Sequence, residues 1–298
     1  MKILLSGVRG YIGTNLFFHL SKNPELNVSG YDIAGSSGPK IKILPKIGDQ
    51  IRFLDQVKPD AFIHLGAQTD VASSILKPDM DAELNIISTI QIANYISEFY
   101  PKCHFIYVNS GGALYGDGGS QQIAEDCKTV PNSFYGLSKL TAEKYLELFG
   151  ILKGLRWSSL ALSNVYGPLN RKGIFFNIVT AIQKNEHPII YGPHNSRDYV
   201  HVSDVTRAIF AQIPMPSNRR INIGSGRQIT NIEILNMVQK IMHSTMEPVI
   251  HPGRLGEIEN ISLSNRLAKI LLNWEPKEDM QKALPEVVAS YQHQTRQT

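Results

Sequence analysis

The sequence predicts an α/β fold, a doubly wound parallel sheet followed by a smaller mixed α/β region. Three observations carry that expectation. Short apolar runs recur at Lys2–Ser6, Asn27–Asp32, Ala61–Leu65, His104–Ser110 and Ser158–Val165, separated by helical patterns. Strands buried on both faces and joined by right-handed helical crossovers read in this way. Between the third and fourth runs, Ile86, Ile90 and Ala93 fall at i, i+4 and i+7, the period of a helix resting one face on a core. After about Tyr166 the alternation loosens, and Gly, Pro and Asn become frequent in Tyr166–Lys172, Gly192–Ser196 and Pro214–Asn218.

The later elements follow from the same signals. Pro188–Tyr191 and Ile221–Ile223 read as short strands, and Asn231–Met242 as a helix behind the N-cap candidate Thr230. We therefore expect a first unit over residues 1–165, to which the chain returns around 198–222, and a second region over 166–298. No internal repeat or low-complexity segment interrupts the chain.

Composition narrows the function classes. With 298 residues, 42% hydrophobic and 19% charged, the chain can bury a large core. The net charge of +4 comes from scattered Lys and Arg, so no basic stripe suggests nucleic acid or a membrane surface. Cys103 and Cys127 match no metal or CxxC spacing, and the reading is two buried reduced thiols, with no metal site. Ile3–Leu5 is interrupted by Gly7, Arg9 and Gly10, unlike the h-region of a signal peptide, and nowhere do eighteen apolar residues run unbroken. A cytoplasmic protein without a membrane span is expected.

The first motif is Gly7-Val8-Arg9-Gly10-Tyr11-Ile12-Gly13, which follows the first strand and enters a helix bearing Ile12, Leu16 and Leu20 on one face. Glycines at this spacing let the backbone turn tightly and approach a pyrophosphate, which rests on the free N–H groups of the helix start. Nineteen residues beyond Gly13 the second strand ends at Tyr31-Asp32. A carboxylate there accepts bonds from the adenosine ribose and repels a 2′-phosphate, which favours NAD over NADP.

The second motif is Tyr135-Gly136-Leu137-Ser138-Lys139 at the start of a helix that continues through Glu143 and Leu146. Tyr135 and Lys139 stand four apart and share one helical face. An ammonium near the phenol favours the phenolate, so Lys139 is expected to lower the Tyr135 pKa and make it an acid or base at neutral pH.

With these residues in view, the chain resembles the extended short-chain dehydrogenases/reductases, in the NAD-dependent epimerase/dehydratase group that acts on nucleotide sugars. The resemblance rests on SGVRGYIG (Ser6–Gly13), HLGAQTDVASSILKP (His64–Pro78), NSGGALYG (Asn109–Gly116), YGLSK (Tyr135–Lys139) and SNVYGP (Ser163–Pro168). RDYVHVSD (Arg197–Asp204), NIGSG (Asn222–Gly226) and PGRLGEI (Pro252–Ile258) extend it almost to the end. It implies a Rossmann-type first domain, with Gly7, Gly10, Tyr11, Ile12, Gly13 and Asp32 on the dinucleotide. Leu65, Gly66, Ala67 and Gln68 would line the cofactor cleft, and Asn85 would face the nicotinamide side. Tyr135 would be the catalytic acid/base, with Lys139 on the nicotinamide ribose. Asn164, Arg197 and Arg254 would hold the nucleotide diphosphate, a task that suits the planar fork of arginine. Plainer alternatives stand beside these: Asn164 as a strand-end turn residue, Arg197 paired with Asp198 or Asp204, and His64 as a core histidine.

The sequence also departs from the family pattern. The Ser or Thr that usually stands four residues before the tyrosine of the VYG-like block is Gly111, the place two before that tyrosine is Ala113, and Ser110 is the nearby hydroxyl. On a strand Ser110 points to the opposite face from residue 111, unless the Gly111-Gly112 pair turns it. Gly112 and Ala113 also stand where dehydratases and decarboxylases place a carboxylate, which argues against those reactions. Asp49 reads as a helix N-cap rather than an adenine ligand, and Ala161 replaces a frequent family arginine.

The resemblance implies an NAD-dependent nucleotide-sugar 4-epimerase acting on a UDP-hexose-like substrate, and a homodimer joined through the helices of Ile86–Ile96 and Tyr135–Phe149. Two rivals remain: an NAD(P)H-dependent 4-ketoreductase of a deoxysugar nucleotide, and a non-catalytic NAD-binding regulatory protein, since fold alone never fixes function.

Overall fold

The computed structural model describes residues 1–254 and 257–295, with side chains to residue 292. Leu255 and Gly256 of the PGRLGEI block lie outside the described residues. The first half runs β1 (Lys2–Ser6), α1 (Tyr11–Ser21), β2 (Asn27–Asp32), β3 (Ile41–Ile43), α2 (Ile47–Val57) and β4 (Ala61–His64). Then come α3 (Val71–Leu76), α4 (Pro78–Ala82), a π-helical turn Glu83–Ile87, α5 (Ser88–Phe99), β5 (His104–Ser110), α6 (Gly111–Leu114), β6 (Gln122–Ile123) and α7 (Phe134–Lys153).

The second half contains β7 (Arg156–Leu162), β8 (Asn164–Tyr166), α8 (Ile174–Gln183), β9 (Ile189–Tyr191), β10 (Ser196–His201) and α9 (Val202–Gln212). It closes with β11 (Arg220–Ile223), β12 (Gln228–Thr230), α10 (Asn231–Met242), β13 (Val249–His251), β14 (Ser262–Leu263), α11 (Arg266–Leu272) and α12 (Met280–Thr295).

Seven parallel strands form the central sheet in the order β11-β7-β5-β4-β1-β2-β3. The order reverses between β1 and β4, and such a switch point opens a crevice at the carboxyl ends of the strands. Alternate side chains of each strand feed two cores. Ile3 and Leu5 meet Leu16, Leu20, Ile209 and Ile213 on one face, whereas Leu4 meets Leu54, Ile92, Ile96 and Leu146 on the other. Burial on both faces is why these strands read as unbroken apolar runs.

A separate core of Tyr166, Phe175, Ile178, Leu235, Val238, Val287 and Tyr291 is built by α8, α10 and α12. Thr230 caps α10 with a reciprocal capping box to Glu233, a pairing that satisfies two orphan N–H groups. The central body takes back α9 and β11, and it also receives Ala268, Leu272 and Trp274 from the C-terminal part of the chain.

Four sequence readings need correction. The run Ser158–Val165 is two strands broken at Ser163: β7 lies in the central sheet, while β8 pairs with β10 in a three-stranded one. The helix after α4 contains a π-turn that shifts its buried face to Asn85, Thr89, Ile92, Ala93 and Ile96, leaving Ile86 and Ile90 half-buried. Asp49 is not an N-cap; that place is Lys46, and Asp49 pairs with Arg52 one turn on. Cys103 is buried but Cys127 is exposed, and both are free thiols. Among the described residues no helix is long and apolar enough to cross a membrane.

Candidate active site

The glycine turn is required by its own geometry. Gly7 adopts φ +67°, open to glycine at no steric cost. A Cβ on Gly7 would lie 2.6 Å from the Gly66 nitrogen, and one on Gly13 would lie 2.1 Å from the Gly7 carbonyl oxygen. Gly10 caps α1 without any side-chain bond, and the first turn carries no acidic residue. The N-terminus of α1 is therefore a cationic dipole end with N–H groups to offer an anion. Asp32 stands beside it, its carboxylate fixed by the Arg9 and Ile33 backbone N–H groups at 2.8 Å each.

Across the switch point, Leu65, Gly66, Ala67 and Gln68 line the same cleft as Gly7, Gly10, Tyr11, Ile12, Gly13 and Asp32. Asn85 does not line it. Its amide is buried behind the loop, donating to the Gln68 carbonyl at 3.0 Å and accepting from the Gln68 N–H at 2.9 Å. The π-turn carries Asn85 inward, where it holds the Gln68 segment of the cleft wall from behind. His64 is a core histidine, bonded to the Ser6 and Thr89 hydroxyls, and burial pushes its imidazole down to about 3.

Tyr135 enters the cleft from the first turn of α7, which Ser133 caps through a 3.1 Å bond from the Gly136 N–H. Burial pushes its phenol up to about 12, a hydrogen bond with the Ser110 hydroxyl pulls the other way, and the nearby Asp81 charge adds to the rise. Strand alternation alone sends Ser110 away from residue 111, but β5 ends at Ser110 and the chain bends at once into α6. The hydroxyl thus comes to line the same cleft as Tyr135 at the rim of the sheet.

Lys139 is buried beneath the cleft. Its ammonium donates 2.8 Å to the Val108 carbonyl and lies 4.0 Å over the Tyr107 ring. Burial pushes it down to about 7, against the charges of Glu143 and Asp81. The cation is thus turned onto a carbonyl and its charge is disfavoured by burial, and Lys139 sits under the cleft wall rather than in its lining.

The far end of the cleft is cationic. Asn164, Arg197 and Arg254 all line it. Arg197 Nη1 donates to the Ser196 and Glu259 carbonyls at 3.0 Å each. Neither acid proposed as its ion-pair partner is available: Asp198 accepts from Ser225, Gly226 and Leu263, and Asp204 from Arg207, Lys277 and Glu278. Arg254 stacks 3.9 Å over the Tyr191 ring, a cation–π contact that leaves the edge of its fork free. Among the described residues no cluster of His, Cys, Asp or Glu is arranged to hold a metal ion.

Known proteins share this architecture. Residues 3–224 match the NAD dependent epimerase/dehydratase family. This chain belongs to that family. A UDP-glucose 4-epimerase of Mycolicibacterium smegmatis is 27% identical, the match covering 99% of this chain and 100% of that protein. The UDP-glucose 4-epimerase of Thermotoga maritima, solved with UDP-glucose, is 29% identical, covers 99% of this chain and 100% of its own, and superposes with a TM-score of 0.92. That of Thermus thermophilus, solved with NAD, is 24% identical over 98% and 99% of the two chains, with a TM-score of 0.89, a likeness of fold.

Three features of this family member escape sequence reasoning. Tyr191 supports Arg254, Ser163 places in the cleft lining a buried hydroxyl that has no partner among the described residues, and Asn109 lines the cleft from the end of β5. Ser163 and Asn109 open two of the quoted blocks, yet only the end of a strand, visible in three dimensions, turns them toward the cleft.

Proposed function

We propose that this epimerase-family enzyme is an NAD-dependent nucleotide-sugar 4-epimerase with a UDP-hexose-like substrate. One observation carries the reading: a single cleft of about 2250 Å³ runs from the uncapped start of α1, past Tyr135 and Ser110, to Arg197 and Arg254. It joins a dinucleotide site, an acid/base pair and a diphosphate site. Two features fit a nicotinamide dinucleotide: the N-terminus of α1 without a side-chain cap, which suits a pyrophosphate, and the Ser163 hydroxyl, which has no partner among the described residues and can bond a polar group of the ligand.

Gly7, Gly10, Tyr11, Ile12, Gly13 and Asp32 would hold the adenosine and pyrophosphate, and Leu65–Gln68 the nicotinamide half. The cofactor supplies hydride chemistry: acceptance of hydride from C4 of the sugar and its return to the opposite face. Tyr135 takes the C4 hydroxyl proton as the carbonyl forms and returns it when the carbonyl is reduced, so no net redox change remains. Ser110, which lines the cleft with Tyr135, would share that proton. Positive charge brought into the cleft favours the phenolate, which offsets the effect of burial on Tyr135. Lys139 supports this region from below through Val108, with its ribose contact a matter of the liganded state. Asn164, Arg197 and Arg254 would bind the nucleotide diphosphate, making residues 166–298 mainly the substrate region.

A homodimer fits the surface. Leu137, Tyr145, Leu148 and Leu152 are exposed along one face of α7, with Ile87 and Phe99 exposed on the neighbouring helical segment. A cytoplasmic setting suits the two free thiols. The test of function is interconversion of two UDP-hexoses by the purified protein without added reductant. Stoichiometric loss of NADH or NADPH with a 4-keto-6-deoxysugar nucleotide would replace the epimerase by the ketoreductase. NAD binding with no turnover of any nucleotide sugar would leave the regulatory reading.

A further inference from the structure

A buried ion pair lies beneath the Tyr135–Ser110 pair. Glu143 stands on α7 one turn after Lys139 and two after Tyr135, and only 3% of it is exposed. Arg220 of β11 grips it with Nε at 2.9 Å from Oε1 and 3.2 Å from Oε2, while Nη2 also bonds Oε1. The guanidinium carbon lies 5.3 Å over the Tyr115 ring. A buried ion pair gains little stability over an apolar pair of equal volume, so its presence calls for another account.

The remaining bonds supply one. Glu143 Oε2 accepts from Asn109 Nδ2 at 2.7 Å and from the Ser159 hydroxyl. A carboxylate only accepts, so the amide of Asn109 must turn its NH2 to Glu143 and its oxygen the other way. That oxygen accepts the Ser110 N–H at 2.8 Å. The last N–H of β5, in register with Leu162 of β7, is thereby held by a side chain. The strand stops there, the chain bends into α6, and the Ser110 hydroxyl emerges into the cleft that Tyr135 also lines.

We infer that the Glu143–Arg220 pair is a positioning device that, through the Asn109 amide, aims Ser110 at Tyr135. The inference rests on the epimerase reading, and its test separates the two. Asn109→Leu breaks the relay and leaves the ion pair in place; Glu143→Leu with Arg220→Met removes both charges together, so that neither is buried unpaired. Each is measured alone and with Ser110→Ala, using UDP-glucose as substrate.

The expected result is a kcat lower by roughly 10- to 100-fold with KM little changed, the scale of an impaired acid/base step. In the Ser110→Ala background the same changes should cost less than about 3-fold more, because groups acting as one unit are not additive. Losses that multiply across the two backgrounds would show a general structural role and overturn the inference. Hydrogen exchange of the Ser110 amide gives a readout without turnover: slow in the wild-type protein, faster by at least about 10-fold in Asn109→Leu, as expected of a lost protecting bond. Unchanged protection overturns the inference. If the double variant does not fold, Asn109→Leu decides alone. If the wild-type protein leaves UDP-glucose unchanged, the epimerase reading fails, and amide exchange still decides the positioning role.

Discussion

A methyl of Leu263 occupies the space that a side chain at Gly111 would need: a Cβ built on Gly111 would lie 2.4 Å from Leu263 Cδ1. The Ala161 and Leu162 carbonyl oxygens close the remaining sides at 3.2 and 3.3 Å. Leu263 cannot withdraw freely, because it is fully buried among Leu114, Tyr115, Ile123, Ile258 and Ile261. A side chain at Gly111 is opposed by this packing, and the neighbouring hydroxyl that lines the cleft is that of Ser110.

Restoring the usual serine should therefore harm the protein. Gly111→Ser is expected to lower stability by about 1–3 kcal/mol through overpacking, and to lower kcat by displacing Ser110. Adding Leu263→Ala should recover part of the activity while leaving a cavity that destabilises by about 2–5 kcal/mol relative to wild type. Chemical denaturation and steady-state rates on the two variants check both statements. A Gly111→Ser protein as stable and active as wild type would show that the space is not filled as described.

Cofactor choice should rest on Asp32. Its two oxygens are pinned by the Arg9 and Ile33 N–H groups, so it cannot swing aside for a 2′-phosphate. Asp32→Ser should narrow the preference for NAD over NADP by roughly 100-fold, the scale of a few kcal/mol lost when a like-charge contact is removed. Calorimetric titration of each cofactor against both proteins measures the ratio. A ratio unmoved within about 3-fold would assign the discrimination elsewhere.

The inner strands were legible because they are buried on both faces, and helix α10 because Thr230 announces its start; the edge strand β3, half-exposed along Ile41–Ile43, gives no such run. Elements without such signals were not. The break at Ser163 lies inside one apolar run, since two strands of different sheets can be equally buried end to end. The π-turn at Glu83–Ile87 rotates the face that a 3.6-residue period assigns to Ile86 and Ile90, and it takes Asn85 out of the cleft. In the site, spacing brings Tyr135 and Lys139 to one helical face, but it is silent on direction. The Val108 carbonyl and Tyr107 ring capture the ammonium, and neither neighbour is close in sequence.

That capture has a consequence for stability. Lys139 titrates at 10.5 when exposed but at about 7 in the fold, because burial disfavours its charge, against the attraction of Glu143 and Asp81. Between these values the unfolded chain binds more protons at this site than the native protein does. Its contribution to stability therefore rises with pH from about 7 to 10.5, and is fully lost once pH has fallen through 7. Lys139→Met removes the titration, so the difference in Tm between variant and wild type should be largest near pH 6 and shrink by pH 9.5. A difference that stays constant across that range would mean that Lys139 keeps its charge in the fold.

Arg197 and Arg254 should differ in what they give to binding. Arg197 is anchored by two backbone carbonyls through Nη1, so the rest of its fork is held ready without further loss of freedom. Arg254 is positioned by one aromatic face and stays more exposed, where salt screens it. Arg254→Ala is expected to raise KM about 10-fold with kcat unchanged, the signature of uniform binding lost, and this effect should weaken between low and high salt. Arg197→Lys should raise KM by at least as much despite keeping the charge, because an ammonium cannot hold two carbonyls and a diphosphate in one plane. Steady-state kinetics with a UDP-hexose at two ionic strengths separates the cases. A fall in kcat for Arg254→Ala, at unchanged KM, would move that residue from substrate binding into the chemical step.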